Sequence, residues 1–212
     1  ISDISQLTHL VNISLNGNDA IVDFTALAQI TSLENVNAWE VGFNDADFAA
    51  FTDHPSIRHF GIGGNQVTDL SPAASMVNLQ SLHIWGEHAY DLNALTGLAN
   101  FHSLALSREQ AADLSVLLQF STLNELWLNG ELSVDDVNNV LLNLSGLNHL
   151  SVGWNSYLTN DLLTQIIPNH PNLQGLGIEH TQITDLSMLF TDGSYSTLAT
   201  PLNNINIDNI IF

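Results

Sequence analysis

The sequence predicts an α/β solenoid with one short strand per repeat, on three observations. Apolar residues recur nine times as a triad spaced three and then two residues apart. The first members of successive triads lie 23, 24, 22, 22, 22, 24, 26 and 29 residues apart. The second half of each unit carries an Asp directly before an apolar residue. A repeat of this length is a unit that cannot bury its apolar face alone and must stack on its neighbours. Within the triad the alternation has period two, the period of a strand with one buried face.

The strands follow in chain order. Leu10-Ile13-Leu15 carries the first and leads to Asn18; Leu33-Val36-Ala38 is a weaker second copy. Ile57-Phe60-Ile62, followed by Asn65, is the third, and Leu79-Leu82-Ile84, Phe101-Leu104-Leu106 and Leu123-Leu126-Leu128 continue the series. Leu147-Leu150-Val152, followed by Asn155, and Leu173-Leu176-Ile178 precede a weak last copy, Leu202-Ile205-Ile207. Between the strands, Asp3, Asp23, Asp47, Asp69, Asp91, Asp113, Asp136, Asp161 and Asp185 each mark the entry of a short helical turn. There an Asp accepts hydrogen bonds from free backbone N–H groups at the positive end of the dipole. A residue used once per repeat does repeat work, so these nine are read as caps. Residues 1–7 read as the back half of a repeat and the chain stops just after a strand, so 1–212 is expected to be a single solenoid taken from a larger protein, without complete end caps. The irregular stretch Thr191 to Tyr195 reads as a looped insertion.

These repeats resemble the leucine-rich-repeat family over nearly the whole chain. The 22-residue copies, with second-half motifs Val67-Thr68-Asp69-Leu70-Ser71 and Ile183-Thr184-Asp185-Leu186-Ser187, are similar to the subtype of bacterial internalins and SDS22-like proteins. The resemblance implies a right-handed solenoid, with a parallel sheet of about nine strands on its concave face and short helices or 3₁₀ turns on the convex side. It also implies protein binding or adhesion by a bacterial surface or secreted protein; a cytoplasmic scaffold is the other branch of the same resemblance. Export signals or anchors would lie outside this sequence.

Charge narrows the partners. Across 212 residues, 22 acids face only two basic residues, Arg58 and Arg108, for a net charge of -20. Binding phosphate backbones or anionic lipid depends on Lys and Arg, so nucleic-acid and membrane-surface roles are not expected. Without cysteine there is no disulfide framework and no thiolate metal site. No apolar run is long enough to span a bilayer. The domain is expected to be monomeric.

Residues alternating with the buried triad must point out of the sheet. All four tryptophans, Trp39, Trp85, Trp127 and Trp154, fall in these outward columns, together with His59, His83, His149 and His180 and, beside them, Arg58 and Arg108. Exposed Trp is a liability unless a partner covers it, and Trp is the side chain most enriched at binding hot spots. The plain alternative is that the rings lie flat as surface filler. The neighbouring glycines Gly61, Gly63, Gly64, Gly86, Gly153, Gly175 and Gly177 are expected to leave shallow gaps for a ligand. A protein partner would use Trp and Arg as anchors; a glycan would stack on the rings and hydrogen-bond to Asn and Ser. A structural spacer is the third reading.

Other chemistry is sparse. His59 and His83 stand on adjacent repeats, but two donors make no zinc site, and no metal or other cofactor is expected. Several histidines on this face predict pH-dependent binding. Glu87, Glu109 and Glu131 replace the ladder Asn in three consecutive repeats. Stacked carboxylates about 5 Å apart repel. They should turn to solvent, take up protons, or share a calcium-like cation at this edge. No nucleophile elbow or phosphate-binding loop is present, so no enzymatic activity is expected.

Overall fold

The computed structural model describes residues 4, 6–21 and 23–189, and the backbone of 204–206. The stretch Thr191 to Tyr195, Asp3 and the apolar ends of the last triad lie outside the described residues. The chain forms two compact units, 1–105 with 110–113, and 106–109 with 114–212. The first holds β1 (Asn12–Ser14), β2 (Asn35–Asn37), β3 (His59–Gly61) and β4 (Ser81–His83); the second holds β6 (Glu125–Asn129), β7 (His149–Ser151), β8 (Gly175–Gly177) and β9 (Asn204–Asn206). The strand β5 (Ser103–Ser107) is divided between them.

In the first unit every strand pairs in parallel with the next, from β1 to β5, and in the second unit the same holds from β6 to β9. The register puts equivalent repeat positions side by side, as in Phe60↔Leu82 and Leu150↔Leu176. The triads are the core. Leu79, Leu82, Ile84, Leu147, Leu150 and Val152 are completely buried. Leu10, Ile13 and Leu15 of the first described strand remain half-buried, that strand pairing with β2 alone among the described residues. In the first unit Phe24, Phe43, Phe48, Phe51 and Phe60 meet in tilted and edge-on pairs with centroids 5.0–6.3 Å apart.

Repeat length decides what closes each repeat. Those beginning at Leu33, Leu123 and Leu147 have 24, 24 and 26 residues and carry α1 (Asp45–Ala49), α2 (Val134–Asn139) and α3 (Asn160–Asn169). The repeats of 22 or 23 residues close with 3₁₀ turns such as Ser71–Ser75 and Leu92–Leu95. An α-helix advances about 1.5 Å per residue against about 2.0 Å for a 3₁₀ turn, so one return path takes more residues when it is α-helical.

The caps divide accordingly. Before 3₁₀ turns, Asp23, Asp69, Asp91 and Asp185 accept the backbone N–H two residues on. Before α1 and α2 the first cap is Asn44 or Ser133, and Asp47 or Asp136 sits at the third helical position, reaching back to the cap's own N–H as a capping box. In α3, Asp161 lies in the first turn.

Candidate functional site

The outward columns stand where the alternation puts them, and no tryptophan is in the core. In the first unit, Trp39 is half-buried and lies across two glycines of the next repeat. A Cβ built on Gly63 would stand 2.1 Å from Trp39 Cζ3, and one on Gly61 2.7 Å from Nε1. Below it, Asn37, His59, Phe60, Gly61, Ser81 and His83 line an open recess of about 220 Å³. His59 and His83 thus share one site, with His59 Nδ1 2.8 Å from Ser81 Oγ. Trp85, half-buried, follows the same strand as His83.

In the second unit Trp127 packs against His149 with ring centroids 4.6 Å apart, and Trp154 stacks on His180 at 3.8 Å and 25°. Trp154 is the most open tryptophan, 58% exposed. Burial lowers the basicity of His149 and outweighs the opposing charges of Glu125 and Glu179.

One expectation is corrected. Six of the seven glycines leave no empty gap: Trp39 covers Gly61 and Gly63, Glu40 covers Gly64, His149 covers Gly175, Glu179 covers Gly153, and Ser151 with Glu179 covers Gly177, while a Cβ on Gly86 would meet nothing nearer than 3.6 Å. A side chain of a neighbouring repeat folds over most of these missing side chains, because a bare strand surface is apolar area to be buried. Both arginines are paired with carboxylates. Arg58 Nε lies 3.1 Å from Glu34 Oε2, and Arg108 Nε donates to Asp136 Oδ2 at 2.9 Å, tying its turn to the cap of α2. In so acidic a chain each guanidinium is drawn to a nearby carboxylate. Finally, the column after the strand is a turn position: Gly17, Glu40, Gly64, Gly130, Trp154 and His180 all have positive φ. Non-glycine residues pay about 1–2 kcal/mol there, so Trp154 and His180 are held against a local backbone preference.

The ladder position is fully worked at Asn65. Its Oδ1 accepts from the N–H groups of Val41 and Phe43, and its Nδ2 donates to the carbonyls of Ala38 and Ile62. Asn18 donates to the Leu15 carbonyl, and Thr181 takes the equivalent slot in a later repeat, donating to Ile178. The three glutamates are exposed, and Glu109 and Glu131 serve as acceptors for the following repeat. Glu131 Oε2 accepts from Ser156 N at 2.9 Å, and Glu109 Oε1 from Glu131 N at 3.4 Å. They do not converge on a cation site: among the described residues no group of three or more His, Asp or Glu is placed to hold a metal ion.

Two buried histidines were not singled out by sequence reasoning. His54 and His170 occupy the position three residues before a triad, where other repeats have Ile30, Met76 and Leu98. His54 Nε2 lies 3.1 Å from the Ile30 carbonyl and His170 Nδ1 2.8 Å from the Ile166 carbonyl; burial pushes both below their usual pKa. Their register against the apolar series was the available signal.

No protein-family model matches the chain, and no curated protein matches it in sequence. Solved structures do match in fold. An internalin from Listeria monocytogenes is 21% identical with a TM-score of 0.56, the match covering 99% of this chain and 71% of that one. Internalin C2 from the same organism is 20% identical with a TM-score of 0.60, covering 93% and 80%. A leucine-rich-repeat protein from Leptospira interrogans is 19% identical with a TM-score of 0.61, covering 98% and 51%. At these identities the likeness establishes the fold.

Proposed function

We propose that this chain, a leucine-rich-repeat solenoid of the internalin type in fold, is a recognition module that binds a protein ligand through the outward faces of its sheets. One observation carries the reading: all four tryptophans are off the core, and three are seated in advance, Trp39 on glycines, Trp127 on His149 and Trp154 on His180. A ring already fixed loses little conformational freedom on binding, which makes it an effective anchor. The positive φ of Trp154 and His180 supports the same reading, since strained backbone is retained where a side chain must be presented. Adhesion by a bacterial surface or secreted protein is the setting proposed, from the fold likeness alone. The net charge of -20 argues against nucleic-acid ligands.

The polar recess of Asn37, His59, Ser81 and His83 beside Trp39 favours a second reading, a glycan site, because an aromatic wall with amide, hydroxyl and imidazole groups suits a sugar ring. Alanine at Trp39, Trp85, Trp127 and Trp154 in turn, screened against an array of extracellular proteins and an array of glycans, tests both. Loss of a protein ligand supports the first reading and loss of a glycan the second. Binding untouched by every variant refutes recognition through these faces.

A further inference from the structure

We infer that the sheet face of the second unit takes an arginine side chain of a protein partner, at a site formed by Glu179, Ser151 and the ring pairs Trp127–His149 and Trp154–His180. This rests on the recognition reading and names what one face would bind. The register of β6, β7 and β8 sets Glu125, His149 and Gly175 in one row and Trp127, Ser151 and Gly177 in the next. Side chains thin out toward β8, and Glu179, two residues beyond that strand, folds back over the bare region. A Cβ on Gly153 would stand 2.6 Å from its Cδ, and one on Gly177 3.1 Å from its Oε2.

That carboxylate is incompletely satisfied: Oε2 is shut off from solvent and accepts no hydrogen bond. The hydroxyl beside it, Ser151 Oγ, directs its proton to Asn129 Oδ1 at 3.1 Å. The Ser151 hydroxyl thus donates away from Glu179, and Oε2 is left as an acceptor without a donor. Burial lowers the basicity of His149, which disfavours a compensating charge there. The one arginine of this unit is engaged by Asp136. A buried acceptor without a donor is costly, so an incoming donor that draws the carboxylate off the glycines recovers free energy. A guanidinium suits this better than an ammonium. Its planar fork engages a carboxylate through two parallel hydrogen bonds, and its face stacks on aromatic rings. Trp154, next in sequence to Gly153 and largely exposed, and Trp127 provide such rings.

The test titrates a Gly-Arg-Gly-Arg-Gly peptide into ¹⁵N-labelled protein and follows the four indole N–H signals, with a citrulline peptide of the same shape as the uncharged control. The arginine peptide is expected to move the Trp127 and Trp154 signals and leave those of Trp39 and Trp85, whereas the citrulline peptide moves none. Glu179→Gln is expected to weaken binding at least tenfold, Glu179→Asp less, and Glu87→Gln less than twofold; the peptide-free spectrum of each variant verifies its fold. Equal weakening by Glu87→Gln and Glu179→Gln would show diffuse attraction to an acidic chain and overturn the inference, as would equal binding of the citrulline peptide or no response at either tryptophan. A protein ligand lost in Trp127→Ala but bound undiminished by Glu179→Gln also overturns it while leaving recognition intact.

Discussion

Replacing Gly63 with alanine puts a methyl group 2.1 Å from Trp39 Cζ3 and 2.2 Å from Cε3. Non-bonded carbons settle near 3.5–4.0 Å, so the indole must lift off the strand by more than an ångström. The backbone itself accepts alanine, since Gly63 is not in the left-handed region. Taken alone, Gly→Ala at a compatible site favours folding by about 0.4–1 kcal/mol through the unfolded chain. Overpacking opposes it by about 1–3 kcal/mol, which leaves a net destabilisation of roughly 1–2 kcal/mol. Gly97 is the matched control, with nothing within 4 Å of its Cβ position; Gly97→Ala should be neutral or stabilising by up to about 1 kcal/mol. Urea unfolding followed by circular dichroism, with tryptophan emission of the folded protein, reads both. Gly63→Ala should unfold at lower urea than Gly97→Ala and show red-shifted emission. Equal or higher stability for Gly63→Ala, with emission unchanged, would refute the seating of Trp39 on the glycines.

The remaining predictions concern ladder, ion pair and pH. Asn65→Ala removes four hydrogen bonds to backbone groups of two repeats and should cost about 2–4 kcal/mol, whereas exposed Asn18→Ala should cost under about 1 kcal/mol by chemical denaturation. Burial raises the Asp136 carboxyl, but hydrogen bonds from Arg108 and Ser133 and the Arg108 charge outweigh it and leave its pKa below the ordinary value. Arg108→Gln should therefore lower the melting temperature and raise the Asp136 pKa seen by carboxyl-carbon NMR; an unmoved pKa would contradict the pairing. His54 and His170 are depressed by burial from an ordinary value of 6.5. Above that pH neither state gains a proton; below it the unfolded chain binds protons that the folded chain refuses, so stability falls as pH drops from 6.5, by up to about 1.4 kcal/mol per unit per histidine. Melting temperatures at pH 7.5, 6.5 and 5.5 should decline, and His54→Met with His170→Leu should flatten the decline; equal slopes in variant and parent would remove these histidines as its cause.

Strand positions and their outward columns were legible because a period of two fixes which side chains face the core: Leu82 and Ile84 are completely buried and His83 and Trp85 half-buried, although Ser81 in the outward column is buried too. Contacts between side chains 24 to 26 residues apart, one repeat to the next, were less legible. That Gly63 would be roofed by Trp39, Gly175 by His149, and Gly153 by Glu179 follows from side-chain direction across a parallel register, which a list of exposed residues does not contain. Arg108 was placed on the face by its column, yet its partner lies 28 residues on, in a helix cap. The left-handed turn at Trp154 had a sequence signal: Gly17, Gly64 and Gly130 hold the same position, and glycine there announces positive φ. His54 and His170 were obscured because composition treats histidine as a surface residue, whereas its place in the apolar series puts it inside.

The central claim is that the sheet faces, with their seated tryptophans, are where a ligand binds. The indole N–H signals of the four tryptophans report on it directly, during titration with a protein or glycan drawn from the array screen. The account predicts that Trp39 and Trp85, or Trp127 and Trp154, shift together on binding while backbone amides of α1, α2 and α3 stay in place. A ligand that binds tightly, perturbs those helices and leaves all four indole signals unmoved would contradict it.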